Sequence, residues 1–133
     1  MSFAIYKIIH FAGVITLFLG FGLMIASSTG GKFSGSPQNR KAMMLHGIGL
    51  ALILLGGFGM AAKAKFVAAG GQLGEPAMSQ GFPLWFWTKF IVWLILGGLA
   101  AAIKRIPEKA TLWTGLIIVL GLVAVFLGVS QPF

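Results

Sequence analysis

Four ionisable side chains fall inside apolar stretches of this sequence: Lys7, His10, His46 and Lys89. A titratable group is costly in a hydrocarbon environment, so each one is a default candidate for ligand binding, proton transfer or metal ligation. The chain has no cysteine, which excludes thiolate metal sites, iron–sulfur clusters and a cysteine nucleophile. Imidazole and thioether groups are therefore the soft ligands that this chain offers to a metal.

His10 and Lys89 are predicted to lie at a common depth. At about 1.5 Å of rise per residue, His10 lies roughly 10 Å inside the first apolar stretch and Lys89 roughly 8 Å inside the third. These two stretches begin on the same side of the membrane if consecutive helices run in opposite directions. His46 lies near the start of the second stretch, and therefore roughly 15–20 Å from that level. The two histidines are not expected to share one haem iron or one metal ion.

Trp85, Lys89 and Trp93 recur at intervals of four residues and so form one stripe of a helix. An amine between two indoles could line a flat conjugated ligand. Lys7 lies one turn before His10, which adds positive charge at this level and favours an anionic group such as a porphyrin propionate. Two simpler interpretations stay open. The lysines could extend to the lipid headgroups, and His10 could serve only to bond a neighbouring helix.

A second candidate site surrounds His46. Met43 precedes it by almost one helical turn, and Met24 could approach from the end of the first apolar stretch. Thioethers and an imidazole form a soft ligand set that suits copper(I). The alternative is that both methionines fill the core and that His46 is a capping or interfacial residue.

The elements that must position these residues are four apolar stretches of membrane-spanning length. They cover roughly residues 3–27, 43–62, 84–103 and 111–129. Backbone in lipid must satisfy its own hydrogen bonds, and these stretches lack the two-residue alternation of a membrane barrel. With 58% hydrophobic and 9% charged residues, residues 1–133 are predicted to form a single transmembrane domain. Its fold class is all-α, an integral membrane up-and-down bundle of four helices.

The connectors carry most of the charge that gives the chain its net +8. We call the side of the membrane that holds both termini side A, and the opposite side B. The connectors on side B hold Lys32, Arg40, Lys41, Lys104, Arg105 and Lys109, and the connector on side A holds Lys63 and Lys65. The positive-inside rule then places side B in the cytoplasm and both termini outside it.

The same charge pattern bears on partners and on reaction class. The aromatic residues lie within lipid-length segments and not on a hydrated basic face, so the lipid bilayer is the expected partner and nucleic acid is not. Both carboxylates, Glu75 and Glu108, lie in connectors, which excludes hydrolysis by a pair of acidic residues.

Two motifs carry a resemblance to a known group. Tyr6-Lys7-Ile8-Ile9-His10-Phe11 opens the first stretch, and Leu84-Trp85-Phe86-Trp87-Thr88-Lys89 opens the third, with Lys104-Arg105 at its end. In these motifs the chain resembles small four-helix proteins of the bacterial inner membrane. That group includes SirB-type proteins, the membrane protoporphyrinogen oxidase and the copper-resistance D domain. The resemblance to the oxidase branch implies b-type haem and functional roles for a first-helix histidine and a third-helix lysine, here His10 and Lys89.

The sequence thus leads to three hypotheses. The first is a membrane protein that binds haem b between the first and third helices for electron transfer or porphyrin oxidation. His10 is then the axial ligand to the haem iron, Lys89 pairs with a propionate or is a second ligand, and Trp85, Trp93 and Lys7 complete the site. The second is a non-enzymatic accessory or scaffold subunit of a larger membrane complex or homo-oligomer. The third is copper handling through Met24, Met43 and His46.

Overall fold

The computed structural model describes residues 2–29, 37–68, 70–71 and 81–130. These form four α-helices, with one short 3-10 turn, Pro107–Lys109, before the last of them. The helices are α1 (Phe3–Thr29), α2 (Pro37–Ala68), α3 (Leu84–Arg105) and α4 (Ala110–Ser130). Each contains a segment that is long and apolar enough to cross a membrane. The predicted all-α four-helix bundle is confirmed, and the described residues include no strand.

Helix α2 is longer than its apolar stretch predicts, by six residues at each end. Arg40, Lys41, Lys63 and Lys65 lie within α2, and Lys104 and Arg105 lie in the last turn of α3, so the assignment of these six residues to connectors was wrong. Hydropathy marks the part of a helix that crosses hydrocarbon, whereas long basic side chains let the helix continue through the headgroup region. Lys32 and Glu75 lie outside the described residues.

The ends of α2 follow from local chemistry. Pro37 begins the helix, where its missing N–H needs no partner and its fixed φ suits the first turn. At the other end Gly70 has a φ of 65°, and the Gly71 N–H donates to the Phe66 carbonyl at 3.0 Å. This six-residue closure around a left-handed glycine is the Schellman arrangement, which satisfies a carbonyl that the helix leaves unpaired.

Helices α1 and α2 form the closest pair in the bundle, and glycines make that approach possible. A Cβ added to Gly49 would lie 2.5 Å from the Leu17 nitrogen, and one added to Gly20 would lie 2.7 Å from the His46 nitrogen. A Cβ added to Gly13 or to Gly56 would lie 2.6 Å from a backbone nitrogen of the facing helix. Small residues seven positions apart therefore form a seam along which two antiparallel backbones touch.

Helices α3 and α4 complete the bundle through larger side chains. The short link between them places α3 and α4 side by side, as predicted, and the Trp113 indole N–H donates to the Ile106 carbonyl at 2.9 Å across it. The core contains Leu17 and Phe21 from α1 and Leu96 and Ile103 from α3. Helix α4 contributes Ile117 to this core and buries Leu127, while several of its other large apolar side chains, such as Leu122 and Phe126, are exposed. Such a surface implies contact with the lipid bilayer.

Candidate functional site

His10 is half-buried on α1, where it faces the middle of α2. Its Nδ1 lies 2.9 Å from the Ile53 carbonyl oxygen. A carbonyl can only accept, so Nδ1 carries the proton and Nε2 presents its lone pair. Metal-ligating histidines are commonly fixed in this way, with one ring nitrogen bonded to a carbonyl and the other left to the metal. The structure describes no protein partner for Nε2.

Glycines on α2 bring the ring to that carbonyl. A Cβ on Gly56 would lie 2.6 Å from the His10 nitrogen, and one on Gly57 would lie 3.4 Å from the ring carbon Cε1. Larger residues at these two positions would move α1 away from α2 and lengthen the bond to Ile53. The orientation of His10 therefore depends on the α1–α2 seam.

Lys89 is half-buried on α3, with its amine directed toward α4. A Cβ added to Gly128 would lie 2.7 Å from Nζ, so the amine lies directly against the backbone of the last turn of α4. The last turn of a helix carries unpaired carbonyls and partial negative charge, which suits an ammonium group.

The indoles of the predicted stripe have their own partners. The Trp93 N–H donates to the Leu50 carbonyl of α2 at 3.0 Å, and its ring stacks on Phe90 with centroids 5.4 Å apart. Trp85 makes an edge contact with Phe86. The Trp93 indole and the Lys89 amine thus turn to different neighbours of α3, and Lys7 is exposed.

His46 lies at a different level from His10. It is 4% exposed, its Nε2 lies 3.1 Å from the Leu96 carbonyl of α3, and its ring meets Phe21 edge-on at 4.9 Å. His10 contacts residues 53–57 of α2, which places the histidines roughly 10–16 Å apart along that helix. Met24 is fully buried in the core and Met43 packs against it.

The sequence did not reveal the carbonyl acceptors. Ile53, Leu50 and Leu96 offer only backbone oxygen, and every apolar residue has one, so no residue type marks them. A weaker signal was present in the spacing, because each histidine is followed three residues later by a glycine of the seam, Gly13 or Gly49. That spacing marks the face of each helix that approaches its neighbour.

His10 offers one imidazole nitrogen that no described protein group uses, which fits a single axial ligand to a metal and not a multi-residue metal site. Among the described residues no three His, Cys, Asp or Glu side chains gather into a metal-binding group. A surface groove of about 450 Å³ lies close to the His10 level, one turn away along α1. It is lined by Tyr6, Leu54, Leu55, Phe58, Gly59 and Ala62.

The fold and the site together define a class, a multi-pass α-helical integral membrane protein with two histidines bonded inside the bundle. Comparison of the chain with protein-family models, with curated proteins and with solved structures gave no match.

Proposed function

We propose that this protein binds a haem of the b type at the level of His10 and Lys89, and that it serves electron transfer or porphyrin oxidation. The observation that carries the proposal is the orientation of His10. Its Nδ1–H is bonded to the Ile53 carbonyl, so Nε2 is available to a metal. Haem, when bound, supplies the one-electron chemistry that the side chains of this protein lack.

Charge supports an anionic ligand at this level. Lys89 lies within a membrane-spanning segment, and the one acidic side chain that the structure describes, Glu108, lies in the link on side B. A lysine in a span normally pairs with an acid, with backbone carbonyls or with a ligand. The last turn of α4 offers Lys89 only partial negative charge, so a haem propionate there would supply a full one.

The remaining residues of the site would orient the ligand and exclude water. Trp93 and Phe90 form a stacked aromatic pair beside α2, and Trp85 lies one turn toward side A from Lys89. The exposed Lys7 lies one turn from His10 toward the same side, where a second propionate would meet it. Ile53 holds the imidazole in the tautomer that leaves Nε2 free.

A visible spectrum of the protein purified in detergent tests this proposal. We expect a Soret band in the wild type that is lost in His10→Gln and kept in His46→Gln. Glutamine can still donate to a backbone carbonyl, so both variants keep a donor for the helix contact and only the imidazole lone pair is removed. A Soret band that persists in His10→Gln would contradict the proposal.

Copper handling is the second candidate, supported by Met24 and Met43, which lie in or against the core cluster whose Phe21 ring contacts His46. The bond from Nε2 to Leu96 leaves the Nδ1 lone pair of His46 available. This function predicts copper(I) that is retained through dialysis by the wild type and by His10→Gln. Met43→Leu, which preserves size and removes the sulfur, would release it.

A subunit of a larger complex or homo-oligomer is the third candidate. Gly98 on α3 and Gly115 on α4 have no atom within 4 Å of an added Cβ among the described residues, so another helix could approach them closely. A colourless, copper-free protein that elutes with a partner of constant stoichiometry would favour this function over the other two.

A further inference from the structure

One face of α2 near side B forms a groove of about 230 Å³. Lys41, Met44, Leu45 and Ile48 line it, at the spacing that aligns side chains along one helical face. Met44 and Ile48 are 58% and 49% exposed, so the floor of the groove is open to the surroundings.

The residues that line the groove lie at different depths in the membrane. The span of α2 begins at Arg40, so Lys41 lies at the headgroup level. Ile48 lies about 10 Å deeper, among the acyl chains. A cation above an apolar channel is complementary to a lipid with an anionic headgroup above a hydrocarbon tail.

The basic residues around the groove also favour a lipid with an anionic headgroup. Arg40 and Lys41 begin the span of α2, and Lys104, Arg105 and Lys109 lie at the same side of the bundle. Glu108 is the one acidic side chain there that the structure describes. Basic clusters at the membrane surface, with a pocket between or beside the helices, bind anionic lipid headgroups.

We propose that this groove is a binding site for one anionic phospholipid, with the phosphate on Lys41 and an acyl chain along Met44 and Ile48. The lipid is distinguished from the general lipid shell by a headgroup with net negative charge. The site faces side B, whereas His10 and Lys89 lie toward side A, so the two proposals stand independently.

Native mass spectrometry of the full chain in detergent tests the site, with phosphatidylglycerol and phosphatidylcholine as probes. We expect the wild type to retain one phosphatidylglycerol and little phosphatidylcholine. Lys41→Gln should weaken phosphatidylglycerol binding by about fivefold, the effect of one basic residue near an anionic headgroup. Lys109→Gln, which makes the same charge change on the same side but outside the groove, is the matched control and should weaken binding much less than Lys41→Gln does.

A second variant separates the groove from charge alone. Ile48→Trp fills the acyl channel and leaves every charge in place, so it should also reduce retention of phosphatidylglycerol. Equal losses in Lys41→Gln and Lys109→Gln would overturn the proposal in favour of diffuse attraction. The proposal would also be overturned if Ile48→Trp retained phosphatidylglycerol normally and inorganic phosphate displaced the lipid. Those results would show a site for the anionic headgroup alone, with no channel for the acyl chain.

Discussion

Individual ring nitrogens connect the helices of this bundle. His10 on α1 donates to the Ile53 carbonyl of α2, and Trp93 on α3 donates to the Leu50 carbonyl of α2. His46 on α2 donates to the Leu96 carbonyl of α3. A buried N–H without a partner is costly where water is absent, so each ring must find an acceptor. The sequence predicted that these groups lie inside the membrane. It could not predict their partners, because a mid-helix carbonyl becomes an acceptor only when packing brings a ring to it.

The contribution of the Trp93 hydrogen bond to stability can be measured by removing the indole N–H. Trp93→Phe keeps an aromatic ring and removes the N–H, and we expect the free energy of unfolding to fall by about 0.6–1.7 kcal/mol, the range for hydrogen bonds between membrane helices. Unfolding by dodecyl sulfate in mixed micelles gives this quantity. Trp87→Phe is the control, because Trp87 is exposed and the structure describes no hydrogen bond from its ring. An equal loss in the control would mean that ring size, and not the bond, stabilises the bundle.

Gly128 provides a test of the Lys89 environment. Gly128→Ala places a methyl group 2.7 Å from Nζ, and the flexible lysine side chain should move aside at a small cost in stability. If the amine holds a propionate, haem affinity should fall while the unfolding transition stays close to that of the wild type. Gly115→Ala on the same helix, where space is open, should change neither the haem affinity nor the unfolding transition. Unchanged haem affinity in Gly128→Ala would show that Lys89 does not pair with a haem propionate.

The helices were predictable to different extents. Apolar length located α1, α3 and α4 to within two residues at each end, because in these helices the apolar stretch and the helix begin and end at nearly the same residues. It failed for α2, where Lys63 and Lys65 extend the helix and contact the rings of Phe66 and Phe82 at 5.5 and 4.8 Å. The glycine seam was equally hard to foresee. Glycine is frequent along the whole chain, and only contacts show that Gly49 faces α1 while Gly47 faces open space.

Those two glycines give a matched pair of substitutions. Gly49→Ala forces a methyl group into the Leu17 backbone, and we expect it to lower the free energy of unfolding by about 1–3 kcal/mol, as overpacking does. Gly47→Ala meets no atom and replaces glycine with a better helix former, so its effect should be neutral or stabilising by up to about 1 kcal/mol. Similar effects of the two changes in micelle unfolding would contradict the close packing of α1 on α2.

For the whole molecule, four spans place both ends of the described chain on one side of the membrane. We propose that this side is outside the cytoplasm of a bacterial cell, because the basic residues concentrate on side B. The absence of cysteine makes a labelling test simple, since an introduced thiol has no background. Ser2→Cys should react in intact cells with a maleimide that cannot cross the inner membrane, and Lys109→Cys should react only after lysis. The reverse pattern would invert the orientation.

Titration of haem into the apoprotein tests most directly whether Nε2 of His10 binds the haem iron. The wild type and His46→Gln should each develop the spectrum of a histidine-ligated b-type haem, with saturation at one haem per chain. His10→Gln should show no saturable spectral change while it retains the helical circular dichroism of the wild type. Saturation of His10→Gln at the same stoichiometry and with the same spectrum would contradict axial ligation by His10.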